Sequence, residues 1–558
     1  MQKTLFNRLF EESIIRNWDS PALTDYGKGT LTYGEVGKKI LLLHAIFAGR
    51  FIRQGDKIAL VGANSVNWAI VYLAAVTYGA VIVPILADFH DEDIQHIISH
   101  SGSLILFATD EIAARVDEER LENLRTIVSL DTRELRYHRD RHLPDEVREI
   151  AREAGGRIAE MTAESFSLPP GRDENELSAL VYTSGTSGFS KGVMIPFRSL
   201  LANITYAREN IRLNMTERLL SFLPLAHAYA CSFDLLFPFT MGCHLTFLGR
   251  MPTPKVLIEA FAEIRPSLIL FVPLIIEKLY KKRIAPLLGR PLFRLLTRVP
   301  GISRVIGALI RKKLTETFGG NFKEIIIGGA ALNDEVEIFL KKIGIPITVG
   351  YGMTECGPLI SYAPWYEHRI QSVGRAIPSL ELKIDSPDPL RVVGEIMVRG
   401  PGVMLGYYKN SEATREVLDG EGWLRTGDLG LLDADGFVFI KGRCKHMILG
   451  PSGQNIYPEE IESRLNAMPF VQESLVVAEN DRLIALVYPD WDAVDARRKG
   501  AEDNIEWLKK KMEENRQEAN RKLSGYCRIA EIRLHGDAFE KTPTHKIKRY
   551  RYLEDGKQ

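Results

Sequence analysis

A stretch rich in glycine and hydroxyl side chains suggests a phosphate-binding loop. "VYTSGTSGFSKGV", residues 181–193, places Lys191 among serines, threonines and glycines, directly after the apolar run "LSALVY" (177–182). A strand that leads into a glycine loop leaves backbone N–H groups free to converge on anionic oxygens. The hydroxyls would add donors, and Lys191 would add a positive charge. The stretch therefore predicts a phosphate cradle.

The same stretch lacks two common motifs. The Walker pattern GxxxxGK[ST] needs a glycine directly before the lysine, but Ser190 precedes Lys191 and Gly192 follows it. The nucleophile-elbow pattern GxSxG is absent as well, so this loop does not support a serine hydrolase. Taken alone, the stretch is equally consistent with a flexible Ser/Gly loop.

Four later stretches carry polar groups that suit a nucleotide. In "VGYGMTECGP" (349–358), a tyrosine could lie beside a base, and a threonine and a glutamate could serve phosphate and Mg²⁺. "GWLRTGDLG" (422–430) offers a carboxylate for a ribose diol. "IKGRCKHMILGPSGQNIYPEEIE" (440–462) and "KTPTHKIKRYR" (541–551) add basic side chains. Each stretch alone could be a turn with solvated charges, and only the order of all of them along the chain indicates a function.

Short apolar runs predict the elements that position these stretches. "KIALVG" (57–62), "SLILFAT" (103–109), "SLILFVP" (267–273) and "EIIIGGA" (324–330) are β-branched, short and bounded by turn residues. Such runs are typical of buried parallel strands, and they alternate here with helical patterns. The alternation predicts an α/β fold with ligands at the carboxyl ends of the strands.

The last part of the chain has a different pattern. "GEIMVRG" (394–400) and "GFVFIKGR" (436–443) resemble hairpin strands with polar turns, and residues 503–523 form a charged amphipathic helical pattern. We therefore expect a large α/β domain over residues 1–443 and a small α+β domain over residues 444–558.

Composition excludes several classes of protein. The apolar share is 45%, and 72 Lys and Arg residues balance 72 Asp and Glu residues, so no net field favours nucleic acid. The five cysteines are scattered and form no CxxC pair, which argues against a disulfide framework or zinc site. No apolar signal segment is recognised near the N-terminus. These features predict a cytoplasmic protein.

Two segments raise the question of a membrane. Residues 68–87 carry no charge and reach spanning length, although a buried helix, a break at Gly79 and a short strand explain them better. Residues 281–313 hold ten Lys and Arg residues and no acid, interleaved with large apolar residues. This basic segment could lie on the anionic inner face of a membrane, or it could be a solvated helical face of its own domain.

The order of the motifs resembles one family over nearly the whole chain. The glycine loop, YGxTE, TGD, GRxK and TPTxKIxR follow one another along the chain, and the resemblance runs from about "LTYGEV" (31–36) to Arg549. "GEIMVRGPGVMLGYY" and "NIYPEEIE" also look like family segments. The chain resembles the acyl-adenylate-forming superfamily of acyl-CoA synthetases, nonribosomal adenylation domains and luciferases. The resemblance implies a multi-sheet N-terminal α/β domain of the adenylate-forming type and a mobile C-terminal domain.

The resemblance implies an ATP site, with Mg²⁺ bound between Thr183 and Glu355. The segment 328–332 with Tyr351 resembles the adenine pocket, and Asp428 with Arg443 resembles the ribose site. The residues expected to contact the nucleotide are Thr183, Ser184, Gly185, Thr186, Lys191, Gly329, Ala330, Tyr351, Gly352, Thr354, Asp428 and Arg443.

The resemblance also implies the reaction and its catalytic residues. A carboxylate attacks the α-phosphorus of ATP, pyrophosphate leaves, and a thiol such as that of CoA then attacks the acyl-adenylate. Lys546 matches the catalytic lysine, His227 lies at the position beside the acyl–phosphate bond, and Glu355 completes the catalytic set. Lys445 matches the hinge about which the small domain would rotate.

Three departures from the family pattern bear on rate. Ser190 stands where the glycine loop usually has proline, and His545 stands where a glycine usually precedes the catalytic lysine. Ser452 stands where many members have a glycine near the thiol arm. We expect a looser phosphate loop. His545 could crowd Lys546 or add a titratable neighbour, and Ser452 bears on thioester formation.

The sequence leaves the identity of the acid and of the thiol acceptor open. The basic segment and the stretch "FVPLIIEKLYKK" (271–282) favour a medium- or long-chain fatty acid. A ligase that loads an acyl carrier protein would share every motif, and a non-catalytic adenylate- or lipid-binding protein is the alternative from another class. The sequence does not indicate an oligomeric state.

Overall fold

The first part of the chain contains many short strands between helices. The computed structural model describes residues 3–183, 190–281, 300–450, 454–480, 482–495, 501–542 and 546–553. Up to residue 210, the strands are β1 (Pro21–Asp25), β2 (Thr30–Thr32), β3 (Lys57–Val61), β4 (Val81–Ile85), β5 (Ile105–Ala108), β6 (Thr126–Ser129), β7 (Leu135–His138), β8 (Leu177–Thr183) and β9 (Lys191–Pro196). The helices there are α1 (Leu5–Arg16), α2 (Tyr33–Ile46), α3 (Val66–Tyr78), α4 (Asp91–Ser101), α5 (Asp110–Ala113), α6 (Leu143–Ala159) and α7 (Phe197–Asn210).

The alternation continues to residue 350 and then gives way to mostly antiparallel strands. The strands are β10 (Arg218–Ser221), β11 (His244–Phe247), β12 (Leu268–Phe271), β13 (Glu324–Ile327), β14 (Ile347–Val349), β15 (Tyr351–Gly352), β16 (Leu359–Tyr362), β17 (Arg375–Ala376), β18 (Glu381–Asp385), β19 (Gly394–Arg399), β20 (Leu424–Leu432) and β21 (Val438–Arg443). The helices are α8 (Ala228–Ala230), α9 (Phe237–Thr240), α10 (Pro254–Ile264), α11 (Pro273–Leu279), α12 (Pro300–Thr317), α13 (Asp334–Lys342) and α14 (Ser411–Val417).

The residues after Arg443 form a smaller set of elements. The strands are β22 (Ile448–Leu449), β23 (Asn455–Ile456), β24 (Val471–Glu479), β25 (Arg482–Pro489) and β26 (Ile529–Leu534), and the helices are α15 (Pro458–Asn466), α16 (Trp491–Asp495) and α17 (Ala501–Lys522). Their buried apolar side chains form two clusters distinct from the large core, which extends to Val438.

Two seven-stranded sheets carry the large core. Their strand orders are β7-β6-β5-β3-β4-β8-β9 and β14-β13-β12-β10-β11-β1-β2. The inner pairs are parallel, as the buried apolar runs predict. The antiparallel strands β7, β9 and β2 are edge strands. A four-stranded sheet, β18-β19-β20-β21, and a three-stranded sheet, β24-β25-β26, follow. The α/β class is confirmed.

The uncharged segment 68–87 folds as a buried helix and strand. Helix α3 begins after Ser65, whose side chain accepts a hydrogen bond of 3.1 Å from the backbone N–H of Trp68. It ends at Gly79, whose φ of 95° lies in the left-handed region that glycine tolerates. Strand β4 then pairs with β3 in the sheet. Within the described residues, no helix has both the length and the apolar character needed to cross a bilayer.

Parallel strands in the second sheet bring several turns of the chain to the same edge. Strands β12, β13 and β14 are parallel neighbours, so their carboxyl ends share one edge of the sheet. The chain leaves β13 into residues 328–330 and leaves β14 into Gly350 and Tyr351. The backbone N–H of Gly350 donates to the carbonyl of Ile327 over 2.9 Å, which joins the two turns.

Candidate functional site

A buried carboxylate joins three distant segments of the chain. Asp428 on β20 is directly paired with Arg443 on β21 in the antiparallel register. The Tyr351 hydroxyl donates to Oδ2 of Asp428 over 2.7 Å, and Nε of Arg443 lies 3.0 Å from Oδ1. Asp428 is 5% exposed, whereas the Arg443 side chain is 46% exposed. The YG, TGD and GR motifs therefore meet at one carboxylate.

The charges of this cluster support one another. The Asp428 carboxylate is the main cause of a raised pKa at Arg443, which keeps the guanidinium protonated. Burial raises the pKa of Tyr351 well above its usual value, and the neighbouring Asp428 charge raises it further. Tyr351 therefore remains a neutral donor. The partly exposed Arg443 and the fixed carboxylate provide a polar wall that suits a sugar diol.

A second cluster lies at the mouth of the glycine loop. Thr183 and Lys191 are cross-strand partners at the ends of β8 and β9, so the two predicted phosphate contacts stand side by side. The Lys191 ammonium lies 4.9 Å from the ring centre of Tyr407. The Tyr407 hydroxyl donates to Oε1 of Glu355 over 2.9 Å. Tyr407 thus links Lys191 to Glu355.

The backbone around Tyr407 fixes this arrangement. The N–H of Leu405 donates to the carbonyl of Met194, and the N–H of Tyr408 donates to that of Gly192, over 2.9 and 2.8 Å. Sequence reasoning did not assign Tyr407 a role in the site. The family-like segment "GEIMVRGPGVMLGYY" contains it, and the aromatic pair at the end of that segment was the available signal.

Lys546 lies close to both clusters. Lys546 as a whole residue is exposed, yet its ammonium group is largely desolvated, which is the main cause of its lowered pKa. The positive charge of Arg443 lowers this pKa further, while the charges of Asp428 and Glu355 raise it. These electrostatic contributions require the ammonium to be near all three side chains. The ammonium of the C-terminal lysine motif therefore lies in the neighbourhood of the ribose-type motif.

The predicted adenine segment is an exposed turn at the end of β13. Gly329 and Ala330 are exposed, and Gly329 has a φ of 89°, a conformation that side chains rarely adopt. The aromatic ring of Tyr229 covers Gly328, and its hydroxyl donates to the carbonyl of Ile326 over 3.1 Å. The turn therefore exposes the backbone of Gly329 and Ala330 at the edge of the sheet.

Gly352 and Thr354 shape the turn that carries Glu355. A Cβ atom at Gly352 would lie 2.2 Å from the carbonyl oxygen of Pro358, so only glycine fits. Thr354 begins a 3₁₀ turn, Thr354–Cys356, that presents Glu355. The N–H of Met404 donates to the Glu355 carbonyl over 2.8 Å and ties the turn to the Tyr407 segment.

His227 lies at the start of a helical stretch beside a small apolar cavity. It is half-buried and precedes α8, after which the chain continues as a π-helix, Cys231–Leu236. Ala226, Ala228 and Cys231 line the cavity together with Val181 and Gly357. The cavity therefore lies between the His227 turn, the strand that leads into the glycine loop and the turn that carries Glu355.

Some predicted residues cannot be related to this geometry. Ser184, Gly185 and Thr186 lie outside the described residues, as do the departures His545 and Ser452. Lys445 is exposed in a 3₁₀ turn, Cys444–His446, directly after β21.

The polar groups fit a magnesium ion that is held mainly by phosphate. Within the described part of the chain, no group of three or more His, Cys, Asp or Glu side chains is arranged to hold a metal ion. Mg²⁺ is often bound by one or two carboxylates together with substrate phosphates. Glu355, which Tyr407 links to Lys191, can supply one such carboxylate, and the Thr183 hydroxyl can supply a further oxygen.

Comparison with known proteins identifies the family. The family model for AMP-binding enzymes matches residues 10–408. The chain belongs to this family. A long-chain-fatty-acid–CoA ligase of Mycobacterium bovis is 30% identical over 476 residues, which cover 80% of this chain and 74% of the relative. One of Escherichia coli O157:H7 is 28% identical over 499 residues, covering 84% and 82%. The chain is thus an adenylate-forming enzyme related to acid–CoA ligases.

Solved structures support the same fold. An anthranilate CoA ligase in complex with anthranoyl-AMP has a TM-score of 0.76 and 19% identity, covering 99% of this chain and 97% of its own. The o-succinylbenzoate CoA synthetase of Bacillus subtilis, with its acyl-adenylate intermediate, has a TM-score of 0.73 and 21% identity, covering 99% and 98%. The adenylate-forming fold is confirmed over both the large and the small part of the chain.

The carboxylate cluster leads to a prediction about nucleotide affinity. Asp428→Asn removes the charge that Arg443 faces and replaces one accepting oxygen by an NH₂ group that only donates, so we expect the affinity for ATP to fall about tenfold or more. Isothermal titration with ATP, in the absence of acid, measures this. Asp433→Asn is the control, because Asp433 pairs with the surface residue Arg369. An unchanged affinity in Asp428→Asn would remove Asp428 from the nucleotide site.

Proposed function

We propose that the enzyme activates a fatty acid in two steps and delivers it to CoA. The carboxylate oxygen of the acid attacks the α-phosphorus of ATP, the bond to the β-phosphate oxygen breaks, and pyrophosphate leaves. The CoA thiol then attacks the acyl carbonyl and AMP leaves. The observation that carries the proposal is the meeting of Asp428, Arg443, Glu355 and Lys546 at one site, next to the strands that flank the glycine loop.

We assign charge stabilisation in the first step to Lys546. Negative charge accumulates on the phosphate oxygens as pyrophosphate departs, and positioned cations lower the barrier to such a transfer. Lys191 and the loop residues Thr183, Ser184, Gly185 and Thr186 would hold the β- and γ-phosphates. Mg²⁺ bound by Glu355 and Thr183 would neutralise part of the phosphate charge.

The nucleoside would bind across the two clusters. The backbone turn at Gly329 and Ala330, with Tyr351, would face the adenine, and Asp428 would accept hydrogen bonds from the ribose hydroxyls. Gly352 and Thr354 would border the phosphates. His227, whose chain neighbours Ala226 and Ala228 line the apolar cavity, would lie beside the acyl–phosphate bond.

The second step needs a different arrangement of the small domain. We propose that residues 444–558 rotate about Lys445, withdraw Lys546 and admit the thiol. Two features support a boundary at this point: the apolar side chains after Arg443 form their own clusters, and Lys445 lies in an exposed turn. Domain rotations around a few hinge residues are common in enzymes with successive steps.

Two features favour a medium- or long-chain fatty acid as substrate. The M. bovis and E. coli relatives are both named long-chain-fatty-acid–CoA ligases. The basic segment 281–313 could bring the enzyme to a lipid surface. An acyl carrier protein as acceptor is the alternative, and a non-catalytic adenylate- or lipid-binding protein is the alternative from another class.

A screen of acids and acceptors tests the function. We expect acid-dependent pyrophosphate release to be greatest with C12–C18 acids among straight-chain acids from C2 to C18, and the thioester to form with CoA. Parallel reactions with a phosphopantetheinyl carrier protein compare the two acceptors by mass spectrometry. Thioester only on the carrier protein would overturn CoA as acceptor, and no pyrophosphate release with any acid would favour a binding protein.

Lys546 provides a test of the first step. We expect Lys546→Ala to reduce acid-dependent pyrophosphate release by about a hundredfold or more, because such a charge typically contributes that much to rate, while ATP still binds. Lys548→Ala is the control, since Lys548 pairs with Glu540. In the wild type, the rate should fall as pH rises through the lowered pKa of Lys546, because the ammonium loses its proton. Unchanged release in Lys546→Ala would refute the assignment.

We also propose that α12 contacts an anionic membrane surface. Residues 282–299 of the basic segment lie outside the described residues, but α12 is described. Its side chains Ile302, Val305 and Leu309 are 39%, 61% and 63% exposed, which is unusual for large apolar residues on one helix. Exposed cations lie beside them on the same helix: Arg304, Arg311, Lys312 and Lys313. Apolar side chains among cations complement an anionic lipid surface.

Flotation with lipid vesicles tests this contact. We expect the protein to float with vesicles rich in anionic lipid and to float less after Val305→Ser with Leu309→Ser, or after Arg304→Gln with Lys313→Gln. The control double variant, Lys28→Gln with Arg391→Gln, removes two exposed cations elsewhere on the surface. Equal flotation of all variants would contradict a role for α12.

A further inference from the structure

Helix α15 carries the main contacts between residues before Arg443 and the small C-terminal part. The Lys281 ammonium donates to the carbonyl of Asn466 and, over 3.2 Å, to that of Val471. The Asn333 side-chain amide donates to the carbonyl of Ser463 over 2.7 Å. Ser463 and Asn466 belong to the last turn of α15, whose carbonyls have no partner within the helix and carry partial negative charge. A cation and an amide N–H are suited to this helix end.

Asn333 is held in the orientation that this contact requires. Its backbone N–H donates to Oε1 of Glu277 over 2.9 Å, and its Oδ1 accepts from the N–H groups of Glu335 and Val336 at the start of α13. The residue is 7% exposed. Because Oδ1 serves as the cap of α13, Nδ2 must point away from it, and it meets Ser463. Oδ1 of Asn333 thus caps α13, while Nδ2 of the same side chain contacts the small C-terminal part.

Lys281 is bound on several sides at the end of α11. Burial lowers its pKa, while the carboxylates of Glu277, Asp490 and Glu335 raise it, in that order of effect. An ammonium withdrawn from water is costly unless its hydrogen bonds are replaced. The carbonyls of Asn466 and Val471 replace them only while α15 stays in this position.

Helix α15 also supports the segment of the catalytic lysine. Glu462, one residue before Ser463, pairs with Arg549, and its Oε1 accepts from the N–H of Val476 over 2.6 Å. On the other side of Lys546, the Lys541 side chain pairs with Glu473 on β24. The segment around Lys546 is therefore attached to the same helix that Asn333 and Lys281 contact.

We infer that Lys281 and Asn333 form a latch that holds the small domain in its adenylate-forming orientation. The latch residues are positioning residues: they fix α15, and α15 fixes the Lys546 segment beside Asp428, Arg443 and Glu355. This inference rests on the proposed two-step function, because rotation about Lys445 would carry α15 away from both donors. The latch must therefore form for the first step and break for the second.

The two half-reactions separate this role from a general effect on the fold. We expect Lys281→Met and Asn333→Asp each to slow acyl-adenylate formation about tenfold in single turnovers without CoA. Transfer to CoA from acyl-adenylate supplied to the enzyme should not slow. Asn333→Asp removes the Nδ2 donor but retains an oxygen that caps α13 equally well. Lys278→Met is the control, since Lys278 is an exposed lysine on the same helix, α11. Equal loss in both half-reactions, or no loss in the first, would overturn the latch.

A distance measurement tests the latch without catalysis. A fluorescent donor at Met215 and an acceptor at Tyr526, both 50% exposed, can be introduced as unnatural amino acids that leave the native cysteines in place. We expect Lys281→Met and Asn333→Asp to populate a second donor–acceptor distance that the wild type and Lys278→Met populate less. An unchanged distance distribution in both variants would refute the latch even if the enzyme were inactive. If the distances change but no acid is adenylated by the wild type, the latch stands and the proposed function fails.

Discussion

The carboxylate of Asp428 is the interaction on which the site depends. A buried charge is stable only when both oxygens have partners, and here the Tyr351 hydroxyl occupies one oxygen while the Arg443 guanidinium faces the other. This requirement fixes β15, the middle of β20 and the end of β21 relative to one another. It also leaves one face of Arg443 open to solvent, where a ligand can reach it.

Around this carboxylate, the same carboxyl-end geometry brings further groups together. The parallel strands β12, β13 and β14 end at one edge of their sheet, and the turn after β14 passes from Tyr351 to Glu355. Tyr407 joins Glu355 to Lys191 from a segment that runs along β9. The two seven-stranded sheets and the sheet β18-β19-β20-β21 therefore contribute to one polar region. Lys546, from the C-terminal part, lies near this region.

The charge balance of this region explains why the small domain matters. Lys546 and Arg443 repel each other, and desolvation of the ammonium adds to the cost, whereas Asp428 and Glu355 offset part of it. An arrangement of this kind is stabilised by an anionic ligand between the cations. In the latch that we infer, the hydrogen bonds of Lys281 and Asn333 to the end of α15 would oppose the same repulsion.

The sequence by itself determined the fold class and the buried strands, and it singled out Tyr351, Asp428 and Arg443, which the structure brings together. "KIALVG", "SLILFAT", "SLILFVP" and "EIIIGGA" are all parallel strands, because their continuous apolar character suits burial on both faces. The pairing of Asp428 with Tyr351, the role of Tyr407 and the contacts of Lys281 and Asn333 with α15 were decided only by the tertiary structure. Motifs indicate which residue types a site contains. Hydrogen bonds between residues far apart in the chain depend instead on the order of strands in the sheets and on how the elements after Arg443 pack against those before it. Local sequence patterns carry no information about either of these.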